Sequence, residues 1–389
     1  MASSDWAFLD RIFRARFGTA AAFHVQAPGR VNLIGEHTDY NEGFVLPAAI
    51  DRYIRLAVRP TSESALRFYA IHFDEEITLS ADHPDRGRVP AWGRYIQGIA
   101  VALREAGVRL RGATGAVGGN LPIGAGLSSS AAVEVAAAVA LLHAGEAARP
   151  LREIALLAQR AEAEFVGVRC GVMDQLTVAL ARPGHALFLD CRTLATEHVA
   201  LPPPVVLVVC DTGVRRSLIS SAYNERRDEC ARAVEHLRRL RPNITALRDL
   251  APDDLPLIEC LPEPLRRRTR HVVTEDARVL DAVAALRRGD LDTVGTLLRA
   301  SHASLRDDYE VSIPALEAMV SAAEGAPGCV GARLTGAGFG GAVLALVDRT
   351  AVDAFVDTTS SAYQRASGMP GTLIVCEAAR GAEVREGSV

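Results

Sequence analysis

Hydrophobic and polar positions along the chain follow helical and strand-like patterns from end to end. Apolar residues recur at helical spacing over 8–17, a short strand is predicted at 24–26, and a β-branched and aromatic run indicates more strand at 44–58. The pattern predicts further helices at 131–144, 151–165, 222–239, 269–287, 291–305, 313–323 and 351–366. It predicts further strands at 186–189, 205–210, 330–334, 342–347 and 372–376. Because helices and strands are intermixed, the sequence predicts an α+β fold.

Three consecutive prolines at 202–204 interrupt this pattern just before a strand-like run. Proline has no backbone N–H to donate to a sheet, and its ring stiffens the chain. We therefore place a junction there, with an N-terminal lobe at 1–200 and a C-terminal lobe at 201–389. The 389 residues are enough for two domains that share a cleft.

Composition excludes several classes of function. A formal net charge of −4 gives no strong field for nucleic acid or an anionic membrane. All 43 basic residues are arginine, and a Walker A loop requires a lysine at the phosphates, so that loop is excluded. The seven cysteines are scattered without a Cys-x-x-Cys pair, which suggests neither a zinc site nor a disulfide framework.

The apolar segments do not read as targeting or membrane segments. The first predicted helix carries three arginines and lacks the apolar core of a signal peptide. The longest apolar run, 131–142, contains Glu134 and is too short to cross a bilayer. We expect a cytoplasmic monomer with no membrane or nucleic-acid partner. Four arginines at 266–270 could suggest a polyanion site, but Glu263, Glu275 and Asp276 flank them, so a solvated helix face is predicted.

The stretch 27–43 places one arginine, three acids and a histidine in a short polar run. Carboxylates at Glu36 and Asp39, with His37 between them, can accept hydrogen bonds from several hydroxyls at once. Charge-assisted hydrogen bonds of this kind are about twice as strong as neutral ones. A polar surface loop is the alternative, but a sugar suits this density of hydrogen-bonding groups better.

A second motif, 121–132, contains Gly124, Gly126 and three serines, and it runs into a predicted helix. Glycines permit positive φ, so successive N–H groups can turn toward one anion, and a helix N-terminus favours phosphate. Simple N-capping would need only one serine. A nucleoside triphosphate arrives with Mg²⁺, for which Ser130 and Glu162 are candidate ligands. Glu164, two positions further along the helix, is predicted to face elsewhere.

Asp174 follows the helix that carries Glu162. Phosphoryl transfer to a hydroxyl needs a group that orients the hydroxyl and accepts its proton, and an aspartate can do both. A guanidinium nearby would keep that carboxylate ionised and neutralise charge in the transition state, and Arg30 is our candidate. A capping or surface aspartate is the alternative.

A third motif, 331–341, contains a Gly-x-Gly-x-x-Gly match at Gly336, Gly338 and Gly341. A dinucleotide fingerprint must open a helix, whereas a strand is predicted to follow here, so a nicotinamide site is excluded. Glycines between two strands indicate close approach to another group, and we expect a wall of the active site.

Together these segments resemble the GHMP small-molecule kinases, and 29–40 resembles the galactokinase signature. The segments 124–131, 170–175, 301–304 and 334–341 stand in the order of that family. The resemblance implies a two-lobed GHMP kinase fold with a mixed sheet and helices in each lobe and an active site in the cleft. It also implies ATP-dependent phosphorylation of the anomeric hydroxyl of α-D-galactose, which gives galactose 1-phosphate and ADP, with Mg²⁺ as the metal.

The resemblance also implies roles for individual residues. Asp174 would be the catalytic base and Arg30 the stabiliser of the transition state. The sugar contacts would be Glu36, His37, Asp39, Gly171 and Tyr223. The phosphates would lie on Gly124, Ala125, Gly126, Leu127, Ser128, Ser129 and Ser130. Ser130 and Glu162 would hold magnesium, with Trp92 and Tyr95 toward the adenine.

Two other functions stay open at this point. Some relatives bind galactose and ATP without catalysis and act as sensors, but they lack a Ser-Ala pair in the glycine-serine loop. Ser130 and Ala131 supply that pair here, which favours an enzyme. The chain could also be a kinase of N-acetylgalactosamine or arabinose, because the sequence does not show whether an acetamido group fits.

Overall fold

Three sheets with helices packed around them form the frame of the chain, which the computed structural model describes for residues 6–85, 87–215 and 219–386. The helices are α1 (Trp6–Phe17), α2 (Gly93–Glu105), α3 (Ser129–Ala144), α4 (Leu151–Ala161), α5 (Met173–Leu180), α6 (Ile219–Leu240), α7 (Leu265–Arg288), α8 (Leu291–Asp307), α9 (Pro314–Glu324) and α10 (Val352–Ser367). The strands are β1 (Phe23–Asn32), β2 (Phe44–Val45), β3 (Pro47–Pro60), β4 (Ala65–Ala70), β5 (Glu75–Ser80), β6 (Ala113–Gly119), β7 (His185–Asp190), β8 (Thr196–Ala200), β9 (Val205–Asp211), β10 (Cys329–Thr335), β11 (Ala342–Asp348), β12 (Thr372–Cys376) and β13 (Glu383–Glu386).

The N-terminal lobe is built on a six-stranded sheet in the order β13-β1-β3-β6-β4-β5. The β4–β6 pair is parallel and the other pairs are antiparallel, so this sheet is mixed. Helix α3 packs against β1 and β3. It is apolar on nearly every face, as expected of a helix enclosed by protein, and this burial fixes where its N-terminus lies.

The C-terminal lobe is built on a four-stranded antiparallel sheet in the order β10-β11-β9-β12. Every residue of β9 is buried, and its side chains alternate between two hydrophobic cores, with Val206 and Val208 in one and Val205 and Val209 in the other. A small third sheet pairs β2, which lies between β1 and β3 in sequence, with β7 and β8. No helix in the described part of the chain combines the length and apolar character needed to cross a membrane.

The predicted helices and strands are present, with shifted ends. The largest shift is in β1, which was predicted at 24–26 and continues to Asn32, so Arg30 lies on a strand and not in a loop. The register shifts between Pro28 and Gly29, and this irregularity lets the strand continue past the proline. The hydrophobic pattern missed α2, α5, β4, β5, β6, β8 and β13. The last of these returns to the N-terminal lobe and pairs with β1.

The arginine-rich stretch of α7 is an ion-paired face. Arg266 and Arg267 pair with Glu263, while Arg270 lies 3.5 Å from both Glu259 and Asp308. The prediction of a solvated face is wrong for Arg268, which is buried and bonded to Glu229 and Glu310. Glu275 and Asp276, which follow further along the same helix, are buried and accept hydrogen bonds from the N–H groups of Gly35 and Phe44. The cluster is therefore neutralised by the flanking Glu263 together with carboxylates from other segments.

Candidate active site

The glycine-serine loop turns the chain into the N-terminus of α3. Gly124 and Gly126 have φ of 75° and 78°, as the sequence predicts, and Ser128 also has a positive φ of 57°. Helix α3 begins at the next residue, Ser129. Free N–H groups and the positive end of the helix dipole therefore lie at this turn.

Arg30 connects this loop to Asp174. From β1, its Nε and Nη2 donate to the two carboxylate oxygens of Asp174 at 2.7 and 2.8 Å. Its Nη1 donates to the carbonyl oxygen of Gly126 at 2.8 Å. Burial opposes the charge of Arg30, but Asp174 and Glu36 outweigh it, so the pKa of the guanidinium is raised. Asp174 is in the first turn of α5, where the helix dipole favours a carboxylate.

A polar cavity of about 300 Å³ opens beside this ion pair. Its lining brings together all seven residues predicted as catalytic or sugar-binding: Arg30, Glu36, His37, Asp39, Gly171, Asp174 and Tyr223. They come from β1, the segment after it, the turn before α5, α5 itself and α6. A hexose-sized ligand in this cavity would meet charged groups on several sides.

The carboxyl groups of Asp39 and Glu36 in the polar cavity are buried from solvent. Burial and then the neighbouring Asp174 raise the pKa of Asp39 to about 7. Burial also raises the pKa of Glu36, against the opposing effect of Arg333 and Arg30. Oε1 of Glu36 accepts a hydrogen bond of 2.7 Å from the N–H of Gly336. The third glycine-rich motif therefore forms a wall of the cavity, as its sequence indicated.

His37 lines the cavity with both ring nitrogens engaged by the protein. Nε2 lies 3.2 Å from the carbonyl oxygen of Ala337, so it carries the hydrogen and donates. Nδ1 then accepts from the hydroxyl of Tyr40 at 2.8 Å. Burial and then His271 lower the pKa of His37 to about 3, which leaves the ring neutral. This ring shapes the cavity, and a sugar hydroxyl would have to displace one of these bonds to reach a ring nitrogen.

A second, more apolar cavity of about 420 Å³ lies on the other side of the glycine-serine loop. Trp92 and Tyr95 both line it, with Phe73 stacked on Trp92 at 6.2 Å between ring centroids. From the loop, Gly124, Ser129 and Ser130 line this cavity. The remaining predicted phosphate residues face elsewhere: the side chains of Ala125 and Leu127 are in the core, and the Gly126 carbonyl and the Ser128 hydroxyl bond to Arg30 and Asp174.

The two candidate magnesium ligands meet between the cavities. Ser130 hydrogen-bonds to Glu162, whose pKa is raised to about 7 by burial and then by Asp174. Gln175 Nε2 donates to Glu162 at 2.7 Å and to the fully buried Glu134 at 3.1 Å. Oε1 of Glu134 has no hydrogen-bond partner among the described residues. Burial and then Glu162 raise the pKa of Glu134. A divalent cation fits beside such buried carboxylates, since it would stabilise their charged forms.

Two further observations bear on this cation site. The side chain of Glu164 is exposed and pairs with Arg160, so the expectation that it faces away from Glu162 is confirmed. Within the described residues, no group of three or more His, Cys, Asp or Glu side chains is arranged to hold a metal. A cation here would therefore need phosphate oxygens to complete its shell, which is how Mg²⁺ is commonly bound.

Arg333 belongs to the site and was missed by sequence reasoning. It is fully buried on β10, and its Nη1 donates to the carbonyl oxygens of Asn32 and Leu33 at 3.0 Å each. The same nitrogen lies 3.6 Å from Oε1 of Glu36. Arg333 thus ties the C-terminal sheet to the end of β1 and supplies a counter-charge to Glu36. An arginine inside an otherwise apolar strand pattern was the available signal.

Family comparisons agree with this geometry. Residues 11–60 match the galactokinase galactose-binding signature, 94–182 the N-terminal domain of GHMP kinases, and 282–364 the GHMP kinase C-terminal region. The chain is 49% identical to a galactokinase of Roseiflexus sp. (strain RS-1), over 95% of this chain and 94% of that protein. It is 45% identical to a galactokinase of Chloroflexus aggregans, over 95% of each chain.

Solved structures place the fold in the same family. A crystal structure of Lactococcus lactis galactokinase complexed with galactose matches with a TM-score of 0.93 and 34% identity, over 97% of this chain and 99% of that one. A mevalonate kinase matches with a TM-score of 0.62 at 17% identity, over 91% and 98% of the two chains, which shows a shared fold alone. The chain belongs to the galactokinase family of the GHMP kinases.

Proposed function

We propose that this protein is a galactokinase that transfers the γ-phosphoryl group of ATP to the anomeric hydroxyl of α-D-galactose, giving galactose 1-phosphate and ADP. The observation that carries the proposal is the position of Arg30. One side chain binds both oxygens of Asp174 at the polar cavity and also the Gly126 carbonyl in the glycine-serine loop. Arg30 therefore connects Asp174, which would activate the sugar hydroxyl, to the loop that would hold ATP.

The opposite charges of Arg30 and Asp174 suit the two sides of the phosphoryl transfer. The anomeric oxygen forms a bond to the γ-phosphorus as the bond from that phosphorus to the β–γ bridging oxygen breaks, and ADP leaves. Asp174 orients the hydroxyl and takes its proton, while Arg30 faces the negative charge that spreads over the phosphoryl oxygens. Burial in the cleft strengthens both interactions because little water competes with them.

The sugar is proposed to bind through Glu36, His37, Asp39, Gly171 and Tyr223. Glu36 and Asp39 approach the cavity from one side and Tyr223 from α6. The two oxygens of each carboxyl group can hydrogen-bond to separate hydroxyls, which suits the hydroxyl pattern of a hexose. Arg333 holds Glu36 in place through its charge and through the backbone of β1.

The nucleotide is proposed to occupy the apolar cavity. Trp92 and Tyr95 present aromatic surface for the adenine. The phosphates would lie beside Gly124, Ser129 and Ser130, where the free N–H groups at the N-terminus of α3 favour an anion. Ser130 and Glu162 would hold Mg²⁺, which neutralises phosphate charge when bound. The contact between these two residues supports a shared ligand role.

At the level of the whole chain, we propose two lobes, 1–200 and 201–389, with the sugar site between them and with β13 from the second segment joined to the sheet of the first. We also propose that the protein is a cytoplasmic monomer that acts on small molecules. The small net charge of −4 fits a protein that does not bind nucleic acid or membranes.

Turnover of free sugars tests the function directly. Purified protein with MgATP should form ADP with galactose in a coupled assay, and less with N-acetylgalactosamine, arabinose or glucose. A site built around a hydroxyl rejects an analogue without it by about 10⁴-fold. A preference for another sugar would contradict the substrate, and binding of ATP and galactose without ADP formation would support a sensor.

A further inference from the structure

Ser128 has an unusual backbone conformation for a serine. With φ of 57° and ψ of 45°, it lies in the left-handed region immediately before α3. Side chains with a Cβ pay a steric penalty there, which glycine avoids. Within the described residues its hydroxyl makes no capping bond to α3, so ordinary N-capping does not explain the residue.

The hydroxyl of Ser128 instead donates to Oδ2 of Asp174. Ser128 is buried at 8% exposure, so this hydrogen bond is largely shielded from water. The strained turn therefore directs a donor at the proposed base, although the sequence suggested a phosphate contact for this serine.

The donors around Asp174 are distributed unequally over its two oxygens. A carboxylate offers about four acceptor positions, two on each oxygen. Among the described residues, Oδ2 accepts from Nη2 of Arg30 and from Ser128, while Oδ1 accepts only from Nε of Arg30. Oδ2 is then fully occupied, and one acceptor position on Oδ1 stays free.

We propose that Ser128 is a positioning residue that locks the Asp174 carboxylate so that Oδ1 is the oxygen that receives the proton of the sugar hydroxyl. The inference rests on the proposed function and deepens it. Without the Ser128 hydroxyl, Oδ2 regains a free acceptor position. The substrate hydroxyl can then bond to either oxygen, and only one of these arrangements is in line with the γ-phosphorus.

Two variants of Ser128 and one variant of the neighbouring Ser129 test this proposal. Ser128→Ala and Ser128→Gly should each lower kcat on the order of 10-fold or more, with KM for ATP changed less than about 2-fold. Ser129→Ala removes a hydroxyl that lines the apolar cavity and should show the opposite split, a raised KM for ATP with a smaller change in kcat. Ser128 variants with raised KM for ATP and normal kcat would assign Ser128 to the phosphates and overturn the proposal.

Melting temperatures distinguish the effect of losing the Ser128 hydroxyl from the effect of changing the backbone strain at this position. Glycine tolerates a φ of 57° better than alanine, so Ser128→Gly should have a melting temperature at or above that of Ser128→Ala. Equal losses of kcat in both variants support the hydroxyl as the cause. Recovery of normal kcat in Ser128→Gly alone would show that backbone strain was responsible and would overturn the proposal. An inactive wild type with galactose contradicts the proposed function itself, whereas an active wild type with normal Ser128 variants contradicts only this inference.

Discussion

Arg30 and Asp174 are 144 positions apart in sequence and are joined by two parallel hydrogen bonds of 2.7 and 2.8 Å. This paired geometry fixes the plane of the carboxylate as well as its charge, because a guanidinium presents its donors in a rigid fork.

Replacement of Asp174 by asparagine should remove the proton acceptor and keep the shape. We expect kcat to fall by about 10² to 10⁴, the range for loss of a general base. Steady-state kinetics with galactose and ATP measures it. Asp254→Asn is a matched control, since Asp254 pairs with Arg241 at 2.8 Å and is similarly exposed, at 23% against 25%, outside the site. Turnover of Asp174→Asn equal to that of the control would exclude Asp174 as the base.

Arg333→Met should destabilise the fold, because it leaves Glu36 buried with less counter-charge. Loss of one partner of a buried charge pair costs about 3 kcal/mol in unfolding free energy, measurable by urea denaturation. KM for galactose should rise as well, since Glu36 loses its support. Arg299→Met removes a half-exposed arginine that pairs with Glu324 on the surface and should cost less than about 1 kcal/mol. Similar losses in the two variants would show that Arg333 has no special role.

Asp39 should make stability depend on pH. Its pKa is about 7 in the folded protein and 3.8 in the unfolded chain, so between those values the folded state holds the extra proton. Stability from this group is therefore complete below about pH 4 and is lost as pH rises to about 7, by at most about 1.4 kcal/mol per pH unit.

The variant Asp39→Asn lacks this dependence. The unfolding free energy of the variant minus that of the wild type should increase as pH rises from about 4.5 to 7. Above about pH 7 this difference should stay constant. His37 and His271, with lowered pKa values of about 3 and 4, have the opposite dependence below about pH 6.5, but both proteins contain them, so they cancel. Parallel pH profiles in urea denaturation would refute a raised pKa for Asp39.

Gly171→Ala should disturb the sugar site through Asp39. A Cβ at this position would lie 2.0 Å from Oδ2 of Asp39, so the carboxylate has to move. We expect KM for galactose to rise on the order of 10-fold or more, with KM for ATP unchanged. Gly145→Ala, where the nearest atom is 3.4 Å away, is the control. An unchanged KM for galactose in Gly171→Ala would argue against a sugar contact by Asp39.

The sequence by itself determined the local features of this protein. The glycines before three serines set the turn into α3, since backbone freedom and helix initiation depend on adjacent residues. Helical and strand-like periods predicted most of the elements of the C-terminal half. Strands β4 and β5 do alternate buried and less buried positions, so their signal was present in the sequence and was overlooked. Strand β6 contains three glycines and carries little strand signal of its own, because its sheet partners are distant in sequence.

Only the tertiary structure decided which residues meet. Strand β1 continues past Pro28 because β3 pairs with it, and this pairing brings Arg30 to Asp174. Arg333 reaches Glu36 because β10 packs beside the end of β1, and β13 joins the N-terminal sheet from the far end of the chain. A hydrophobic pattern shows which face of an element is buried but not what it is buried against, so packing alone assembled the two cavities.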